Sequence, residues 1–250
     1  LLSAEYGRER ANLIDADRAW PEMPPCGEFP EGAQWRPPND DAVAHRSQAD
    51  ASRQALSDTS YVAVVDRDGN MFSATPSDGY CNAPVNAKWG LHISERGGQT
   101  QLAPGHPNCL SPRKRPRLTP SPALVLKDER PLMVFGTPGN DRQPQAMLQF
   151  LLNLLVFRMP PQRAVAQPRL ASFSFPASTH PHPYLRGVVY LEEDMPRDTI
   201  AGCQERGHLV RMWPSSHWKA GGTCAVVRDP ETGTLWGAAD PRREGRALGF

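Results

Sequence analysis

The residues with the most chemical potential begin at Thr59. Thr59 and Ser60 lead into Tyr61-Val62-Ala63-Val64-Val65, a run of β-branched, aromatic or small side chains, followed by Asp66-Arg67-Asp68-Gly69-Asn70. Asp-Gly between two such runs signals a hairpin, and Met71-Phe72-Ser73-Ala74-Thr75 resumes the alternation. A hydroxyl at the head of a strand can serve as a nucleophile, but a Thr hydroxyl needs a base beside it at neutral pH. No Ser-His-Asp arrangement is evident, and Thr suits a pleated strand on propensity alone, so position by itself leaves both readings open. His180-Pro181-His182 offers two imidazoles with no third ligand or carboxylate nearby, which reads as a loop and not a metal site. Neither a metal nor a cofactor is expected. Arg113-Lys114-Arg115-Pro116-Arg117 is a basic cluster too short for a polyanion site, and reads as a solvated loop or a source of internal salt bridges.

These groups need elements to hold them. Ala123-Leu124-Val125-Leu126 and Leu132-Met133-Val134-Phe135 flank Lys127-Asp128-Glu129-Arg130 as a second hairpin, and its second strand runs into Gly136-Thr137-Pro138-Gly139-Asn140-Asp141. From Gln143 to Phe157 a broad apolar stripe predicts a helix buried on most sides, stopped by Pro160-Pro161. Shorter helices are expected over 161–166 and 196–206, a strand over 208–213, and a last hairpin from Cys224-Ala225-Val226-Val227 through Asp229-Pro230-Glu231-Thr232-Gly233 to Ala238. The stretch from Ser77 to Pro84 and that from Arg96 to Pro122 read as loops around a short strand over 90–94. Strands at both ends with helices between them imply antiparallel sheets covered by helices, an α+β class.

Four stretches, in order, resemble the γ-glutamyltransferase family of N-terminal nucleophile hydrolases: Thr59 to Asp66 with its Gly-Asn turn; Lys114-Arg115-Pro116 with Thr119 and Pro120; Gly136-Thr137-Pro138-Gly139; and Gly237-Ala238-Ala239-Asp240-Pro241-Arg242-Arg243. Upstream, Leu2-Ser3-Ala4-Glu5-Tyr6 and Arg10-Ala11-Asn12-Leu13-Ile14 resemble the end of the family's large subunit. The resemblance implies a four-layer αββα sandwich and a self-processing precursor. It divides the chain into residues 1–19, the last helix of the large subunit; 20–58, a Pro-rich linker; and 59–250, the catalytic small subunit. Thr59 would become a chain start when the Asp58-Thr59 bond is cut, and its α-amine, with a pKa of about 7.7 to 8.0, would then serve as base.

The resemblance also assigns the other site residues. Ser77 matches the hydroxyl that bonds the nucleophilic Thr, and Gly139 with Asn140 match the backbone donors to the oxyanion, Asn140 standing where the family has Gly. The substrate-holding positions fall on Gly79, Gln99, Pro116 and Arg117, none of which keeps the family's group. Arg117 is left with two readings, a partner for a substrate carboxylate or a solvated side chain. The implied function is cleavage of a γ-glutamyl-type amide such as glutathione through an acyl-enzyme passed to water or an amine. The alternatives are an amidohydrolase on a glutaryl- or oxamate-like amide and an uncleaved, non-enzymatic relative. The partners would be a small amide and the chain's own large subunit.

Composition bounds this reading. The chain has 250 residues, 39% of them hydrophobic, enough for a core, and Lys+Arg 28 against Asp+Glu 27 gives no reason to expect nucleic acid as a partner. Five cysteines without metal-ligand spacing argue against a disulfide scaffold. No run reaches the roughly 18 apolar residues of a membrane span. Leu1-Leu2-Ser3 lacks the pattern of a signal peptide, and the chain reads as a piece of a longer precursor, cytoplasmic or periplasmic.

Overall fold

The computed structural model describes residues 3–25, 27, 59–78 and 84–250. Helix α1, Ala4–Ala11, starts at Ser3, whose hydroxyl accepts from the Tyr6 amide at 3.2 Å, and it buries none of its residues. The expected linker and cleavage junction fall largely on residues 28–58, outside the described ones.

Strands β1, Val62–Val65, and β2, Met71–Ala74, form the first expected hairpin. Asp66 closes its turn by accepting from the amides of Asp68 and Asn70, each at 2.9 Å. Two minimal strands follow, β3 (Val85–Asn86) and β4 (Leu91–His92), which pair with each other. The central sheet has the order β11-β10-β6-β5, built from β5 (Ala123–Lys127), β6 (Arg130–Gly136), β10 (Cys224–Arg228) and β11 (Leu235–Ala239). Its neighbours are antiparallel throughout. A second sheet, β7-β8-β9, joins Leu170–Ser172, Val188–Glu192 and Leu209–Trp213. Here the expectation of purely antiparallel sheets fails, because β8 and β9 are parallel. The crossover between them carries helix α4, Arg197–Glu205, and a helical crossover is the ordinary way to join parallel neighbours.

Helix α2, Gln143–Leu151, and helix α3, Pro161–Ala166, cover one face of the central sheet. Met133 and Phe135 of β6 meet Met147 and Phe150 of α2 and Ala164 and Val165 of α3, with the Phe135 and Phe150 rings 5.5 Å apart. The long helix expected over 143–157 is corrected in two respects. Leu152–Val156 forms a wider π turn, and Leu148, Leu152, Leu155, Val156 and Phe157 are exposed, so one face of the helix and not most of it meets the core. A smaller cluster of Ala171, Trp213 and Ala220 sits on the second sheet, where Tyr190 stacks on Trp213 at 4.8 Å. Trp213 is thus a core residue, whereas Trp218 and Trp236 are exposed.

The two sheets are joined through charge. Arg169, Glu192, Asp240 and Arg242 are all buried, and each guanidinium faces a carboxylate. Arg169 Nη2 lies 2.5 Å from Asp240 Oδ2, Arg242 Nη1 lies 3.1 Å from Asp240 Oδ1, and Arg242 also holds Glu192. The remaining capacity is used by backbone: Arg169 Nη2 donates to the Val165 carbonyl, Arg242 Nη2 to that of Gln167, and the Thr223 amide donates to Asp240. Since Glu192 ends β8 and Asp240 follows β11, this clamp fixes one sheet against the other.

Candidate active site

The hairpin brings Thr59 and Ser77 together. Register pairs Val62 with Ala74, and the ladder extends one step beyond the strands through the Ser60 amide, which donates to the Pro76 carbonyl at 3.0 Å. The residues on either side of that bond therefore meet, and Thr59 Oγ1 lies 2.6 Å from Ser77 Oγ. The hairpin is itself seated on β6. The Tyr61 ring lies so close to Gly136 that a Cβ there would fall 2.2 Å from it, which leaves room only for glycine. Tyr61 shares a hydrogen bond with Ser73 at 2.8 Å, and burial pushes its phenol up to about 12, so it stays neutral.

A third group joins this pair that the sequence reasoning missed. Glu95–Gln99 forms a short 3₁₀ turn capped by Ser94, and Asp78 Oδ1 accepts from Ser94 Oγ at 3.0 Å and from the Glu95 amide at 3.2 Å. That anchoring turns Arg96 back onto Ser77. Arg96 Nε donates to the Ser77 carbonyl at 2.9 Å, and Nη2 donates to Ser77 Oγ. Nothing in the sequence around Glu95-Arg96-Gly97-Gly98 distinguishes this arginine from a surface one, because the contact depends on how an irregular loop folds back.

Gly139 and Asn140 open the path from β6 into α2. Gly139 has φ 139° and Asn140 φ 55°, both in the left-handed region, where glycine is at ease and Asn is among the better-tolerated side chains. The turn is closed by the Arg142 amide, which donates to the Gly139 carbonyl at 3.1 Å. Burial lowers the Arg142 guanidinium to about 10, against the opposing pull of Asp141, so it remains charged at neutral pH.

Gln99 is buried and occupied internally. Its Nε2 donates to Thr119 Oγ1 at 3.0 Å, its Oε1 accepts from the Thr119 amide at 3.2 Å, and its carbonyl accepts from Asn108 Nδ2 at 2.6 Å. Thr179 Oγ1 accepts from Asn140 Nδ2 at 3.2 Å and stands 3.5 Å from Gln99 Nε2, linking the Gln99 node to the Gly139 turn. Asn140 Oδ1 is buried with no partner among the described residues. Pro116 and Arg117 are exposed and line an open cleft of about 360 Å³ with His106, Pro107, Asn108 and Arg115. Arg117 is answered in part by its own chain, with Nη1 3.6 Å from Asp141 Oδ1. In the same cleft, burial together with the charges of His182 and Lys114 pulls His106 below the usual imidazole range. Gly79 lies outside the described residues. His180 and His182 stand with ring centroids 5.9 Å apart, and no group of three His, Cys, Asp or Glu that could hold a metal exists among the described residues. Among the same residues no helix is long and apolar enough to cross a membrane.

Residues 1–250 match the family model described as gamma-glutamyltranspeptidase. The chain is 34% identical over 201 residues to the glutathione hydrolase-like YwrD proenzyme of Bacillus subtilis, covering 80% of this chain and 37% of that protein. It is 30% identical over 196 residues to the oxamate amidohydrolase proenzyme of Klebsiella pneumoniae, covering 77% of this chain and 36% of that one. Among solved structures, a cephalosporin acylase from Bacillus halodurans superposes with a TM-score of 0.72 at 26% identity, over 98% of this chain and 38% of the acylase. The chain thus spans well under half the length of these relatives.

Proposed function

The chain belongs to the gamma-glutamyltranspeptidase family, and from that premise we propose that it carries the catalytic part of a self-processing amidohydrolase or acyltransferase whose nucleophile is Thr59. The observation that carries the reading is the 2.6 Å contact between Thr59 Oγ1 and Ser77 Oγ at the open end of the hairpin. Cleavage of the Asp58-Thr59 bond would free an α-amine whose ordinary pKa, about 7.7 to 8.0, lies close to working pH. As Thr59 Oγ1 bonds to the amide carbon, its proton passes to that amine, directly or through a water. The amides of Gly139 and Asn140, at the turn entering α2, would receive the oxyanion, and the protonated amine then gives its proton to the substrate's leaving nitrogen as the carbon–nitrogen bond breaks. Water or an amine resolves the acyl-enzyme. The substrate would be a γ-glutamyl-type amide of the glutathione kind.

We read the fold as the C-terminal part of a four-layer αββα sandwich, with residues 1–19, 20–58 and 59–250 as large-subunit helix, linker and small subunit. Val64 and Phe72 pair in register and are 49% and 59% exposed, and Leu235 and Trp236 of β11 are exposed as well. Apolar strand surface of this kind is what the remainder of a precursor would cover. The test is intact mass of the full-length protein. A subunit beginning at Thr59 is expected, and Thr59→Ala should abolish both cleavage and turnover; a single uncut chain would instead support the non-enzymatic alternative.

A second reading is favoured by Gln99. Where the family has an acidic group for the substrate ammonium, this chain has a neutral amide already committed to Thr119. A desolvated ammonium is then uncompensated, which suits an amide whose acyl part has a carboxylate but no amine, glutaryl- or oxamate-like. Removing the α-amine, by comparing a γ-glutamyl anilide with its glutaryl counterpart, should change kcat/KM by less than about tenfold. A loss of roughly a thousandfold would return the enzyme to γ-glutamyl substrates.

A further inference from the structure

We propose that Arg96 is a positioning residue for the nucleophile, fixing the Ser77 hydroxyl as a donor toward Thr59; this rests on the reading of Thr59 given above. Arg96 is half-buried and holds Ser77 at two points, the carbonyl through Nε at 2.9 Å and the hydroxyl oxygen through Nη2. A guanidinium only donates, so Ser77 Oγ accepts from it. Between Ser77 and Thr59, at 2.6 Å, either hydroxyl is able to donate, and the direction decides the chemistry. If Thr59 donated to Ser77, its proton would point away from the base and its lone pair would be poorly presented. With Arg96 drawing on the Ser77 oxygen, the Ser77 proton is more acidic and is directed at Thr59 Oγ1, which leaves the Thr59 proton free for the base and stabilises the negative charge that builds on Oγ1 as that proton departs. The proton balance is unchanged. Thr59 gives its own proton to the base as the Oγ1–carbon bond forms, and Ser77 and Arg96 keep theirs.

A purely structural role predicts something different. Arg96 would then only hold the 3₁₀ turn Glu95–Gln99 against the hairpin, and its loss would loosen Gln99 and the cleft.

The test uses the full-length precursor and two readouts. The first is the rate of self-cleavage, which uses the same hydroxyl and needs no knowledge of the substrate. The second is kcat and KM on γ-glutamyl and glutaryl anilides. Arg96→Ala should slow self-cleavage and lower kcat by about 10- to 100-fold with KM within about twofold, since the lost interaction serves the transition state. Added guanidinium ion should restore part of the loss. In a Ser77→Ala background, Arg96→Ala should add less than about twofold, because Arg96 acts through the missing hydroxyl. If Arg96→Ala does not fold, Arg96→Lys keeps the charge but not the two-point grip and should lower kcat about tenfold at unchanged melting temperature. Losses that add independently to Ser77→Ala, a raised KM with kcat intact, or no response of either variant to guanidinium would overturn the proposal. Thr59→Ala that still cleaves and turns over would overturn the reading of the nucleophile instead, and so separates the two failures.

Discussion

Two charged regions of this chain are built on opposite principles. At the clamp, Arg169, Glu192, Asp240 and Arg242 are almost wholly removed from solvent, and each charge meets an opposite charge and a backbone group. At the hairpin end, Thr59, Ser77 and Arg96 are only half-buried, and Arg96 faces hydroxyl and carbonyl oxygens with no carboxylate ion pair among the described residues. Burial makes an unanswered charge expensive, so the clamp has to be complete and its residues are locked. Among the described residues the cation at the hairpin is held by oxygens that carry no full charge, and on the reading proposed above its field acts on the hydroxyl beside it. Arg242 shows the cost being met: burial lowers its affinity for the proton, but Glu192 and Asp240 together outweigh that and raise it.

The sharpest way to break the contrast is to remove one charge from the clamp. Asp240→Ala leaves Arg169 and Arg242 buried with only Glu192 between them, and the expected loss is about 3 to 5 kcal/mol, a large part of the few kcal/mol by which proteins are stable. Denaturant unfolding of the full-length protein measures it. A loss below about 1 kcal/mol would mean that water reaches the clamp and that the two regions do not differ in kind.

Next in size is a change at the Gly139-Asn140 turn, proposed above to receive the oxyanion, which should leave stability largely alone and act on rate. Asn140→Gly keeps the amide and suits φ 55°, so turnover should be preserved. Asn140→Pro removes the amide and demands φ near −65°, and turnover should fall on the order of 100-fold or more. Equal losses in both variants would assign the role to the Asn140 side chain, whose Oδ1 is buried without a partner among the described residues.

The parts of the fold that were legible in the sequence are those decided locally. Asp66 to Asn70 carries its own turn chemistry, so the first hairpin could be placed within a residue or two, and Gly139 and Asn140 are residues that tolerate the left-handed turn found there. Helix α3 and the last hairpin were readable for the same reason. Thr59, Ser77 and Gly139 were singled out by the family resemblance, since a hydroxyl 18 positions from another has no local reason to be its neighbour. What escaped depends on distant partners. Val188-Val189-Tyr190-Leu191 has the composition of a strand, but the burial of Glu192 at its end cannot be read locally, since only Arg169 and Arg242, brought from elsewhere, make an acid acceptable there. The apolar residues after Leu151 suggested a helix buried nearly all round, yet which face met the core was set by α3 and β6. Arg96 escaped for a related reason: its site is made by the fold-back of 94–99 onto Asp78.

The smallest expected effect is at Asp66, in the turn of the β1-β2 hairpin. Its carboxylate accepts from the Asn70 side chain at 2.8 Å and from the amides of Asp68 and Asn70, and these bonds, the Asn70 side chain foremost, hold it below the usual Asp range. The group is fully exposed, so the bonds shape the turn more than they stabilise the protein. Because the folded value is depressed, the contribution is present above the unfolded Asp value of about 3.9 and is lost as pH falls through the folded one. Asp66→Asn should therefore lower the melting temperature slightly at neutral pH, and the difference from the parent chain should shrink in acid below about pH 4. Self-cleavage and kcat should hardly move if Thr59 and Ser77 are positioned by the ladder and by Arg96. A clear fall in self-cleavage with melting temperature unchanged would show that the far end of the hairpin sets the geometry of its open end, and that the nucleophile is held along the whole length of β1 and β2.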